Sequence, residues 1–222
     1  MALVIQDLGR VGYGEALERQ RAAVEARRAG RAPDVLLLLE HPPVVTLGRS
    51  AREDHLRLSR SALARRGVEV HEVARGGDVT YHAPGQLVGY PILDLSARNA
   101  RDVHAYLRGL ETALCEALDR LGVRPRLLPG YTGVFVEPGP GEPEDPPHKI
   151  ASIGVALRGW VTCHGFALNV DLDLAGFESI VPCGLHGVVM TSVQRELGPA
   201  APHDLGPRAR DAVVEAFRAR FP

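Results

Sequence analysis

At 222 residues the chain is long enough for one domain, at most two, and its 26 Lys+Arg against 27 Asp+Glu leave a formal charge of −1. That balance excludes a polybasic nucleic-acid binder. With 45% hydrophobic and 24% charged residues and a mean hydropathy of −0.05, the composition is that of a soluble globular protein able to build a sizeable core.

The N-terminal stretch Met1 to Arg10 is broken by Gln6, Asp7 and Gly9 and fits neither a secretory signal nor a spanning helix. Glu15 to Ala29, rich in Ala, Glu and Arg and followed by Gly30, predicts a helix with a glycine cap. Val35 to Glu40 and Val44 to Leu47 predict two strands around the turn His41-Pro42-Pro43, and Ser59 to Arg66 a short helix ending at Gly67. Val68 to Val73 alternates loosely, as a half-buried strand does. Between Arg101 and Leu121 the apolar residues keep helical spacing, with Gly122 beyond. Thr132 to Val136, Ile150 to Leu157 and Trp160 to Val170 are β-prone, and an Arg158-Gly159 turn predicts a hairpin from the last two. The proline-rich, acidic stretch Glu137 to His148 has no apolar periodicity and reads as an exposed, mobile loop; Arg210 to Phe221 reads as a closing helix.

Hairpins with segregated helices argue an α+β fold, a mixed and mainly antiparallel sheet covered by helices, in one domain spanning 1–222. No Gly-x-Gly-x-x-Gly follows a strand, which disfavours a Rossmann unit. Cys115, Cys163 and Cys183 form neither a Cys-x-x-Cys pair nor a closed disulfide framework, so a reducing, cytoplasmic setting is expected. No His-Glu-x-x-His or paired cysteine spacing is present, and no metal is expected.

Lysine occurs once, at Lys149, so 25 of the 26 basic residues are arginine. Arginine replaces lysine freely where only a solvated charge is wanted, but not where a proton must leave, because guanidinium stays protonated. A chance survivor is the plainer explanation of the same count. Four segments depart from what packing alone requires. RGGDVTYHAPGQLVGYPILDL, from Arg75, gathers Arg75, Gly76, Gly77, Asp78, Val79, Thr80, Tyr81 and His82 in one glycine-rich stretch; a glycine turn between two strands is the competing reading. KIASIGV places the small residues Ala151, Ser152 and Gly154, beside Ile153, just after Lys149. CHGFALNV puts Gly165 and Ala167 around Phe166 where bulk is normal in a strand.

In IVPCGL, Cys183 sits between a rigid proline and a permissive glycine, a setting that suits a nucleophile beside an oxyanion-binding site. An ordinary loop cysteine is the alternative unless a base is near. Lys149 and the nine histidines are the candidate partners, and a Cys-His-Asn enzyme using His82, His164 or His186 stays open. His41, His55, His71 and His203 read as surface or turn residues, and Cys115 and Cys163 as inert packing.

These blocks, with GVFV from Gly133 and HGFALNV from His164, stand in the order and at the spacing of the lipoyl(octanoyl) transferases, which the chain resembles over most of its length. The resemblance implies a fold similar to biotin and lipoate protein ligase catalytic domains, Cys183 holding the acyl group as a thioester, and Lys149 beside it as acid and base. It implies substrate-binding segments at Arg75 to His82, Ser152 to Gly154 and Gly165 to Ala167, and no cofactor. The implied donor is octanoyl-acyl carrier protein; the implied acceptors are lipoyl domains of 2-oxoacid dehydrogenase complexes and the glycine cleavage H protein. Ala83 stands where the family pattern has glycine, and the proline-rich loop before Lys149 is longer than usual. An ATP-dependent lipoate or biotin ligase, with no need of Cys183, and a non-catalytic acyl-protein binding module are the competing functions.

Overall fold

The computed structural model describes residues 3–137, 146–185 and 187–222. In chain order these form β1 (Val4–Arg10), α1 (Tyr13–Arg28), β2 (Val35–Glu40), β3 (Val44–Leu47), α2 (Arg60–Arg65), β4 (Glu69–Glu72), β5 (Val79–His82), β6 (Gln86–Ile92) and α3 (Val103–Arg120). They continue with β7 (Pro125–Arg126), β8 (Val134–Val136), β9 (His148–Arg158), β10 (Val161–Asn169), β11 (Val189–Met190), α4 (Val193–Leu197) and α5 (Leu205–Arg220). The main sheet has the order β1-β2-β6-β10-β9-β8-β7, with β11 added to β9; β1–β2 and β9–β11 are parallel and the other neighbours antiparallel. A smaller sheet, β4-β3-β5, stands beside it. This is the mixed, mainly antiparallel α+β architecture the sequence implies.

Amphipathicity explains which helix covers which face. In α3 Tyr106, Leu110, Leu114, Ala117 and Leu118 recur at helical spacing and are buried with Ala212, Val213 and Phe217 of α5 against Leu87, Ile150, Phe166 and Leu168 of the sheet. Asp102 caps α3, its carboxylate accepting the Ala105 N–H at 2.9 Å. The opposite face, with Leu37, Val88, Tyr90 and Cys163, packs under Ala16 and Val24 of α1. Covered on both faces, β6 and β10 are buried along their whole length. A third cluster, including Val45, Val79, Tyr81, Ala83 and Phe177, fills the smaller sheet.

Several expectations need correction. Arg158 pairs with Val161, so the hairpin turn is Gly159–Trp160, with φ 57 and 66, the two positive values that a two-residue type I′ turn demands. His41 is fully buried rather than superficial: its Nδ1–H donates to the Val11 carbonyl at 2.7 Å and its Nε2 accepts from the Tyr90 hydroxyl at 2.8 Å. His55 and His71 are half-buried, and only His203 of that group is exposed. Strand β1 was not expected. Helix α5 starts at Leu205, because Pro207 falls in the first turn, where a missing N–H costs nothing. Residues 138–145 of the proline-rich loop, and His186, lie outside the described residues. Among the described residues, no helix is long and apolar enough to cross a membrane.

Candidate active site

Strand β9 enters the sheet beside β8, and its second residue, Lys149, is 2% exposed. The amine donates to the Thr132 carbonyl at 2.9 Å and lies 5.4 Å from the centre of the Phe135 ring, which together offset the loss of water around an ammonium. Gly133 makes this possible. With φ 118, it carries its missing Cβ toward the Ala151 carbonyl and the Lys149 stem, so any side chain would collide with the lysine. The buried carboxylate of Glu111 on α3 accepts the Gly133 N–H at 3.0 Å and so fixes the turn that presents the Thr132 carbonyl.

Cys183 approaches from the turn Pro182–Gly184. Its Sγ lies 3.6 Å from Lys149 Nζ and 3.7 Å from Ser152 Oγ. The cysteine is itself left-handed, φ 57 and ψ 17, and Gly184 follows with φ 66. A non-glycine residue in that region is strained and persists only where its surroundings hold it. Here Val181 N–H donates to the His55 carbonyl at 2.8 Å, and Arg57 N–H to the Ser179 carbonyl at 2.9 Å. His55 Nδ1 and Asp78 Oδ2 meet at 2.7 Å against Gly184, where a Cβ would strike both residues. The Gly184 and Leu185 N–H groups are bonded within the turn, to Val181 and Pro182, so the oxyanion donors expected from sequence are not those two amides.

The glycine-rich segment forms the next wall. Gly76 N–H donates to the Val155 carbonyl of β9 at 2.8 Å, and Gly48, Arg49 and Ser50 donate to Asp78, Arg75 and Gly77. Arg75 is buried: Nη2 donates to the Thr46 carbonyl and hydroxyl at 2.9 and 2.8 Å, and Nη1 to the Gly76 carbonyl at 3.0 Å. Burial holds its guanidinium below the ordinary value, and it stands near enough to Cys183 and Asp78 for their charges to act on it.

Between these walls lies a cavity of about 190 Å³. Its lining brings together Arg75, Gly77, Asp78, Val79, Thr80 and His82 with Lys149, Ser152, Ile153 and Gly154, and with Gly165, Phe166, Ala167 and Cys183. Of the sequence-predicted residues, Gly76 and Tyr81 do not line it. Gly76 ties the segment to β9, and Tyr81 turns into the third core cluster against Phe177, ring centres 5.6 Å apart. Ala83 likewise belongs to that cluster, so its substitution for glycine does not alter the lining. Sequence reasoning missed Tyr13 and the Gly130–Thr132 turn, which lie outside the segments it singled out, and Tyr90, which lies within the 75–95 segment but beyond its polar part.

The far end of the cavity is an aromatic nest. Tyr13 stacks over His82 with centres 6.2 Å apart, and His82 Nδ1–H donates to Gln86 Oε1 at 2.7 Å, since the Gln86 amide group is committed to Tyr81 and Asn169. Burial lowers the pKa of His82 to about 3 and that of His41 and His164 to about 4, so all three are neutral near pH 7. Lys149 and Arg75 are cations whose charge acts on the sulfur. Among the described residues, no group of three or more His, Cys, Asp or Glu could hold a metal ion.

The chain as a whole has relatives. The family model of the lipoyl protein ligase A/B catalytic domain matches residues 12–218. The chain belongs to that family. Within it, the octanoyltransferase of Acidobacterium capsulatum is 50% identical over 203 residues, covering 89% of this chain and 81% of that protein. The octanoyltransferase of Chloroflexus aggregans is 48% identical over 201 residues, covering 90% and 87%. Among solved structures, the bipartite lipoate protein ligase from Thermoplasma acidophilum superposes with a TM-score of 0.69 at 17% identity, over 99% of this chain and 82% of that one, a likeness of fold. This member of the lipoyl protein ligase A/B family is an acyltransferase, and its reaction is octanoyl transfer in lipoylation.

Proposed function

We propose that Cys183 carries the octanoyl group as a thioester between two proteins and that Lys149 moves the protons. The observation that carries this reading is the 3.6 Å approach of Lys149 Nζ to Cys183 Sγ in the wall of the cavity. At that separation an ammonium stabilises a thiolate by Coulomb attraction and by a charge-assisted hydrogen bond. The thiolate attacks the thioester carbonyl of octanoyl-acyl carrier protein; a carbon–sulfur bond forms to Cys183 and the one to the carrier's thiol breaks. The Lys149 ammonium gives its proton to the departing thiolate.

In the second half, the ε-amine of a lipoyl-domain lysine attacks the acyl-enzyme. A carbon–nitrogen bond forms, the bond to Cys183 breaks, and Lys149 takes the proton from the attacking nitrogen. Thiolate and ammonium are thereby restored. One thioester becomes another, then an amide more stable than either, so no nucleotide is consumed. Arginine cannot serve at this position because it does not release a proton near neutral pH. The segments Arg75 to His82, Ser152 to Gly154 and Gly165 to Ala167 hold the acyl chain, whose six methylenes contribute roughly 5 kcal/mol at ~0.8 kcal/mol each. The acceptors are lipoyl domains of 2-oxoacid dehydrogenase complexes and the glycine cleavage H protein.

Incubation with octanoyl-carrier protein in the absence of nucleotide tests this. The peptide containing Cys183 should gain an octanoyl mass and lose it on adding a lipoyl domain. An unmodified peptide, with transfer only when ATP is present, would establish the ligase reading instead.

A further inference from the structure

A second cavity of about 190 Å³ lies on the α1 side of the sheet, lined among others by Leu17, Gln20, Val24 and Cys163. Among the described residues, His164 alone lines both this cavity and the one that holds Cys183. Strict alternation along β10 would put His164 on the face of Phe166 and Leu168, which pack beneath α3 and α5. Its left-handed backbone, φ 56, turns it to the other face, where its ring meets Tyr90 at 6.4 Å between centres and its N–H donates to Gln20 Oε1 at 2.9 Å. The residue is 5% exposed, and among the described residues neither its Nδ1 nor Gln20 Nε2 has a hydrogen-bond partner. Strained backbone and unmatched polar atoms together mark a position held for something other than packing.

The sheet register supplies a length. Val155 stands opposite His164, three residues along β9 from Ser152, which is ~10 Å at a strand rise of ~3.3 Å. Ser152 Oγ is 3.7 Å from the sulfur. An extended alkyl chain, with bonds close to the backbone Cα–C length of ~1.5 Å, advances ~1.3 Å per bond, so the seven carbon–carbon bonds of an octanoyl group span ~9 Å. An octanoyl chain anchored on Cys183 therefore ends at the His164 ring. A longer one would have to pass it and meet the unpartnered polar groups of the second cavity.

We propose that His164 is the end wall of the acyl channel and sets the upper limit on chain length by closing off the second cavity. This rests on the acyl-enzyme reading given above. Glycine relieves the left-handed strain, so His164→Gly tests the wall without endangering the fold; His164→Asn, also tolerated at positive φ, is the smaller step.

Octanoyl-, decanoyl- and dodecanoyl-carrier protein are offered in parallel, and acylation of Cys183 is followed by mass. Each newly accommodated methylene is worth about fourfold, so the decanoyl-to-octanoyl rate ratio should rise more than tenfold in His164→Gly and less in His164→Asn. Filling the second cavity with Val24→Phe in the His164→Gly background should restore the wild-type ratio. Unchanged ratios in both single variants, with wild-type melting temperatures, overturn the proposal. If wild-type Cys183 stays unmodified, the acyl-enzyme reading fails instead, and the wall is then judged by whether His164→Gly tightens binding of dodecanoate relative to octanoate by the same factor.

Discussion

Acidification should unfold this protein unusually early, because three histidines are buried in their neutral form. In the unfolded chain each titrates near 6.5; in the native state His41 and His164 do so at about 4 and His82 at about 3. Their native values are depressed, so the stability they preserve is complete above about pH 6.5 and is lost as the pH falls toward 4, where the unfolded chain binds protons that the folded one refuses. Three protons at ~1.4 kcal/mol per pH unit each give a slope of ~4 kcal/mol per unit around pH 5. Between pH 7 and 4.5 the loss sums to ~7 kcal/mol, against a typical total stability of ~5–15 kcal/mol. Urea unfolding followed by circular dichroism at pH 7.5, 6.5, 5.5 and 4.5 measures it. His82→Gln should remove about one third of the slope. A urea midpoint that stays level from pH 7 to 5 refutes the assignment of three neutral buried rings.

Other predictions concern the site and its support. Lys149→Arg keeps the charge but not the removable proton, and octanoyl transfer to a lipoyl domain should fall by ~10²–10⁴, the usual worth of acid–base catalysis; activity within tenfold of wild type would defeat that role. Gly133→Ala places a Cβ 2.5 Å from the Ala151 carbonyl and 2.8 Å from Lys149 Cε at φ 118. It should cost ~2–4 kcal/mol in urea and displace the amine, lowering transfer at least tenfold, whereas wild-type kinetics would show that the lysine does not need that space. Asp34 is buried between Arg27 and Arg98, each at 2.6 Å; burial alone would raise its carboxyl, but these donors and the Asp94 N–H hold it below the ordinary range. Asp34→Ala leaves the buried Arg27 guanidinium only the longer contact to Asp94 at 3.5 Å and should cost ~2–4 kcal/mol in a denaturant titration, with a loss under 1 kcal/mol counting against the network.

What was readable in the sequence was whatever a local rule enforces. Apolar spacing located α3, an Arg158-Gly159 turn signal between two β-prone stretches located the β9–β10 hairpin, and a lysine-poor chain pointed to Lys149. Tertiary choices escaped. The turn slipped by one residue because its geometry demands positive φ at both positions and the fold places Trp160 at one of them. His41, read as a surface or turn residue, does lie in the β2–β3 connection, but it is buried there because Val11 and Tyr90 satisfy both ring nitrogens, and neither partner is near in sequence. Tyr81 was grouped with its neighbours, yet alternation along β5 sends it into the core while Thr80 and His82 line the cavity. Strand β1, with polar Gln6 and Asp7 in its middle, is an edge strand that pairs with β2 and needs little apolar pattern of its own.

Lys149 and His164 ride on two arms of one hydrogen-bonded hairpin, whereas Cys183 hangs from a short turn outside the sheet, fastened chiefly through His55 and Asp78. The span from amine to wall is consequently as stiff as the sheet ladder. Displacing the turn alters how far the sulfur stands from its proton donor and where the acyl chain is anchored, while the amine and the wall keep their spacing. The turn is thus the adjustable part of the gauge and the hairpin its fixed scale.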